Sequence, residues 1–120
     1  MQDIDEAFVR RIHVVVDFPF PDTEARLRIW QGLFPAGVER PPDEELALLA
    51  ERFVLSGGSA KNVVVDAAFR ALDKSSDGLL RITLRHLASA VAREYQKLGR
   101  PITKGEFGED LYRWVQADLL

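Results

Sequence analysis

Only one stretch of this chain reads as a β-strand. Ile12 to Asp17 (IHVVVD) is short and β-branched, and its three consecutive valines leave no polar alternation. A strand of that kind is buried on both faces, as in a parallel sheet. Pro19 and Pro21 end it at once. One strand makes no sheet, so the chain has to fold as a mainly helical body, and this segment calls for strand neighbours that the sequence does not contain. Before it, Asp3 to Arg11 can form a short helix with Ala7 and Phe8 as its apolar residues.

The rest of the chain is patterned at helical spacing. Asp22 is placed to cap a helix whose stripe combines Ala25, Ile29, Leu33 with Leu27, Trp30, Phe34. Pro35 to Pro42 (PAGVERPP) is a rigid connector. Asp43 is expected to cap a second helix, with Leu46, Leu49, Ala50 and Phe53 on one face. After VLSGGSAKN, Ser59 is expected to cap a third, with Val63, Val64, Ala67, Ala68, Ala71 and Leu72 inward. Asp73 to Gly78 is a turn. Thr83 caps a fourth helix with the stripe Leu84, Leu87, Val91, Tyr95 and Leu98; Gly99 stands where a helix stop belongs and Pro101 prevents a restart. Thr103 to Leu120 is expected to hold one last helix, with Leu111, Trp114, Val115 and Leu119 on its apolar face.

Composition narrows the function. At 120 residues, 47% hydrophobic and 29% charged, the chain suits a globular domain with a modest core. No apolar run approaches the roughly eighteen residues a membrane span needs, so no membrane partner is expected. The net charge of −3, with acids and bases interspersed, argues against nucleic acid. There are no cysteines, which excludes thiolate metal sites and disulfides. With no signal-peptide pattern at the N-terminus, a cytoplasmic location is the expectation. No metal constellation is visible: His13 and His86 are isolated, the first expected to be structural and the second a surface or boundary residue. SGGSAKN is glycine-rich and opens a helix. That is a general anion-binding geometry and equally an ordinary helix cap with glycines in its turn.

The order of these pieces carries a resemblance. IDEAFVRRIHVVVDFPFPD, Ile4 to Asp22, resembles the end of the core domain of AAA+ ATPases, where arginines close a short helix, the last core strand follows, and a Pro-Asp step enters the helical lid. ARLRIW, Ala25 to Trp30, is similar to the first lid helix. LSGGSAKNVVVDAAFRAL, Leu55 to Leu72, is similar to the sensor 2 region, and LASAVAREYQKLGR, Leu87 to Arg100, to the last lid helix of bacterial members. The likeness spans roughly Ile4 to Arg100.

The resemblance implies a mainly α chain: an AAA+ lid-type bundle of four to five helices with one residual strand. Residues 1–21 would be a remnant of the ATPase core, 22–100 the lid, and 101–120 a helical extension. Arg10 and Arg11 match the arginine fingers that reach, in trans, the γ-phosphate bound by the neighbouring protomer. The guanidinium group suits that task with its permanent charge and planar fork; the two are adjacent here, where the family separates them by a few residues. On the residues alone, the same pair would serve as salt bridges at a helix end. Lys61 matches sensor 2, usually an arginine. Gly57, Gly58 and Ser59 lie where the lid backbone nears the nucleotide base, and Ile29 and Leu33 match residues lining the adenine pocket, with plain core packing as their other reading. The implied cofactor is ATP, with magnesium in the intact protein, and the implied partners are identical subunits in a ring together with a protein substrate or adaptor. The phosphate loop GxxxxGK[ST], the Walker B carboxylates and the polar sensor 1 residue are absent from this sequence, so a C-terminal part without hydrolytic activity of its own is expected. A free-standing helical interaction module with no nucleotide role is the alternative.

Overall fold

A computed structural model describes residues 22–73 and 80–119. Among them run α1 (Thr23–Gly32), α2 (Asp43–Arg52), α3 (Gly57–Asp73), α4 (Leu84–Leu98), α5 (Lys104–Phe107) and α6 (Glu109–Leu119). The expected helix at 3–11 and the strand at 12–17 lie outside the described residues. Within these the only β-type pairing is an isolated parallel bridge between Glu39 and Arg81, made by Glu39 N–H to the Leu80 carbonyl and Ile82 N–H to the Glu39 carbonyl, each 2.9 Å.

Local chemistry sets most helix ends. Asp22 Oδ1 accepts from Ala25 N–H at 2.8 Å. Thr83 and His86 form a reciprocal capping box, with Thr83 N–H donating to His86 Nδ1 at 3.1 Å. Gly99 stops α4 in the left-handed region at φ 71°, and Arg100 N–H returns to the Tyr95 carbonyl.

Two caps differ from expectation. Pro42, not Asp43, is the α2 cap, because its extended backbone presents its carbonyl to Glu45 and Leu46 N–H. Asp43 joins the first turn instead, and the hydrogen bond from Arg40 at 3.0 Å holds its carboxyl below the usual range. Ser56, not Ser59, opens α3: its carbonyl accepts from Ala60 N–H and its hydroxyl from Ser59 N–H at 3.2 Å. The two glycines between these serines take no positive φ and simply begin the helix.

α4 is the central element. Leu87 to Ala92, Glu94 and Tyr95 are all buried, with α3 packed along one side and α6 along another. Trp30, Leu46, Leu49, Phe53, Val63, Ala67, Phe107, Leu111 and Val115 complete the core. Leu72 and Leu98, expected inward, are 60% and 50% exposed. An apolar stripe on a helix marks what can be covered, and among the described residues nothing covers more than half of either side chain. Val65, Phe69 and Leu72 share one exposed face of α3.

The tail forms two helices where one was expected. Gly108 breaks it at φ 81°, and a side chain there would overlap the Arg52 guanidinium. Tyr95 anchors this segment. Its hydroxyl donates to Glu106 Oε2 at 2.6 Å and its ring lies 4.0 Å beneath the Arg100 guanidinium. Burial first, then the bond to Glu106, push the Tyr95 hydroxyl well above the ordinary tyrosine range. The folded chain therefore keeps a proton that the unfolded chain loses above about pH 10, so this contribution is intact below that pH and is lost as pH rises. Urea denaturation across the alkaline range is expected to show wild-type stability falling about 1.4 kcal/mol per pH unit more steeply than that of Tyr95→Phe. Parallel curves would remove Tyr95 as the source.

Candidate functional site

The N-terminal turn of α3 carries Gly57, Gly58, Ser59 and Lys61. Ser56 satisfies Ser59 and Ala60 N–H, and the amides of Gly57 and Gly58 stand at the positive end of a 17-residue helix. A Cβ at Gly57 would meet nothing within 4 Å, and one at Gly58 only Ser56 Oγ at 4.0 Å. Neither glycine is required by the conformation or the packing of the described residues.

Lys61 is exposed and makes no ion pair or hydrogen bond among the described residues. Its neighbours are engaged: Asn62 Nδ2 donates to the buried Glu94 at 3.3 Å, and Asp66 takes Arg93 at 2.5 Å and Arg70 at 3.7 Å. The Asn62 and Arg93 contacts tie α3 to α4, the Arg70 pair lies within α3, and none of them engages the Lys61 ammonium. Arg28 and Arg113 are also exposed without an ion pair, so a free base is not distinctive by itself; its place in the first turns of a glycine-led helix is.

Ile29 on α1 and Leu33 at its C-cap are half-buried and pack against the core from its rim. α1 touches α3 as well as α2. The packing reading of Ile29 and Leu33 therefore holds, and part of each side chain remains accessible. Arg10, Arg11 and His13 lie outside the described residues. Among the described residues no cluster of three or more His, Asp or Glu could hold a metal, and no helix is long and apolar enough to cross a membrane.

Reading the sequence missed Arg26. It is 8% exposed, donates through Nε to the Ala50 carbonyl at 2.7 Å, and reaches Thr23 Oγ1 through Nη2 at 3.1 Å. The signal that could have found it was its spacing: position 26 falls on the same stripe as Ile29, Trp30 and Leu33. Arg52, Arg100 and Glu106, which tie the tail to the bundle, carried no comparable local pattern.

Comparison with known proteins gives one consistent set of relatives, the A-like 1 form of the katanin p60 ATPase-containing subunit. Those from Homo sapiens and from Otolemur garnettii are each 32% identical to this chain over 106 residues. The counterpart from Oryctolagus cuniculus is 31% identical over 106 residues. The match takes in 88% of this chain and 20% of each relative, so the chain spans about one fifth of the length of the curated relatives it matches. No family model and no solved structure matches it.

Proposed function

We propose that this chain, related over 88% of its length to part of an AAA+ ATPase, is the helical lid of such an ATPase and forms one wall of its nucleotide site. Residues 1–21 would end the core domain, 22–100 form the lid, and 101–120 extend it. The observation that carries this reading is the start of α3, where two glycines not required by the packing of the described residues stand beside Lys61, which makes no ion pair among them.

The residues fit ATP as a partial site. Lys61 would place a point charge against phosphate oxygens. The Gly57 and Gly58 backbone with Ser59 would approach the base, and the accessible edges of Ile29 and Leu33 would give the adenine an apolar wall. Arg10 and Arg11 would reach the nucleotide of a neighbouring subunit in a ring. ATP supplies the phosphoric anhydride whose hydrolysis would power remodelling of a protein or complex. Magnesium finds no ligand cluster among the described residues and would be held by the rest of the ATPase. On this reading the isolated chain binds nucleotide weakly and hydrolyses none.

One observation favours the alternative, an interaction module without a nucleotide role: the exposed Val65, Phe69 and Leu72 face offers another protein an apolar surface. Lys61→Ala separates the two. In the intact ATPase it is expected to weaken ATP binding by about tenfold, the scale of one lost hydrogen bond to a charged group. The melting temperature of the present chain should barely move, since exposed substitutions cost within about 0.5 kcal/mol. Unchanged ATP affinity together with a destabilised chain would give Lys61 a purely structural role.

A further inference from the structure

The last turn of α2 is gripped from two sides. A helix leaves its final carbonyls without amide partners, and leaving one buried and unmet costs about 1–3 kcal/mol. At Ala50, which is fully buried, the carbonyl is met from α1 by Arg26 Nε at 2.7 Å. Two residues on, Arg52 Nη1 donates to the Phe107 carbonyl at 2.6 Å, with its guanidinium seated against Gly108. Arg100 closes the same end, donating to the Val54 carbonyl at 3.1 Å while it covers the Tyr95 ring. In the same stretch Phe53 lies edge-on to both Tyr95 and Phe107. Arg26 and Arg100 both aim charged donors at the negative end of α2. Residues 50–54 are thus a common footing for α1 on one side and for the start of the tail on the other.

We propose that the C-terminal segment 102–119 positions α1 by fixing the last turn of α2, on which Arg26 rests. Arg26 and Arg52 are positioning residues: one ties α1 to that turn, the other ties that turn to the tail. If the turn rotates, the Ala50 carbonyl moves away from a donor that has little water at hand to replace it, and α1 must follow. The consequence for nucleotide rests on the reading of Ile29 and Leu33 given above; the mechanical coupling does not.

Amide hydrogen exchange on the whole chain tests it, comparing wild type with Arg52→Met, which keeps an apolar stem and removes the donors. Amides of residues 102–112 are expected to exchange on the order of tenfold faster, as befits one lost charge-assisted hydrogen bond. Those of α1 should quicken by roughly threefold, the low end of coupling through packed networks, while the centre of α4 stays protected. A quickened tail with α1 unchanged overturns the proposal. Should Arg52→Met not fold, wild-type exchange in sub-denaturing urea decides: one common opening for α1 and 102–112 supports the coupling, and two independent openings overturn it. In the intact ATPase, Arg52→Met is then expected to weaken ATP binding. Coupled exchange with unaltered ATP affinity would leave the positioning role standing and sink the adenine-wall reading of Ile29 and Leu33.

Discussion

Phe53→Ala is expected to lower the stability of the bundle by about 4 kcal/mol, the usual scale for truncating a buried phenylalanine. Phe53 has no solvent exposure. Its ring meets Phe107 edge-on at 4.7 Å and Tyr95 at 6.0 Å, and those two rings meet each other at 5.6 Å. Aromatic pairs of this geometry add about 0.5–1.5 kcal/mol each beyond the area they bury. Three segments distant in sequence supply the rings, so the cavity left behind has no single flexible element to collapse into it. Against a typical total of about 5–15 kcal/mol, such a loss leaves a marginal domain. Urea denaturation reads the effect as a lower midpoint at unchanged slope. Phe53→Leu, which refills most of the volume, should cost distinctly less. A loss below about 1.5 kcal/mol for the alanine variant, the scale of a merely conservative core change, would show that the three rings are not the centre of the core.

The largest functional effect is expected at Arg10 and Arg11, which lie outside the described residues. If either is a finger acting on a neighbouring subunit's ATP, replacing it by alanine in the intact ATPase should lower turnover by about 10³-fold, since such groups act on charge that develops in the transition state. ATP affinity should be largely retained, because the finger belongs to the other side of the subunit boundary. Single variants identify which of the two adjacent arginines reaches the phosphate, and the conservative lysine variant should rescue little, since an ammonium offers a point charge in place of the fork. Full turnover in both single alanine variants and in the double variant would end the assignment. A loss confined to ATP affinity would instead place the residue in its own subunit's binding site.

Both predictions bear on how much of this protein is written locally. Asp22, Thr83 and Gly99 were legible as helix boundaries because each acts within its own turn: a carboxylate or hydroxyl three residues from its amide, and a glycine with access to the left-handed region. The helical character of the described residues followed from apolar spacing together with these caps, and the likeness to AAA+ ATPases rested on the order of short motifs rather than on any one of them. Lys61 was legible as a base at a glycine-led helix start, and it is exposed there. Where two local solutions compete, local pattern does not choose. Ser56 and Ser59 can both cap α3, and Pro42 and Asp43 can both begin α2; the chain's path into each helix decided.

The tertiary structure alone decided which apolar positions are covered and which charges are buried. Leu72 and Leu98 continue their stripes correctly and still face solvent, because a stripe states what a helix can bury and only its neighbours determine what it does bury. Arg26 sits on the apolar stripe of α1, but what its charge meets is settled only when the Ala50 carbonyl, 24 residues away, is brought against it. Arg52 meets Phe107 across 55 residues, and that meeting fills the space a side chain at Gly108 would need. Hydrogen bonds of such separation have no periodicity to announce them. They exist because packing brings a donor against a carbonyl at a helix end, Ala50 in the last turn of α2 and Phe107 at the end of α5.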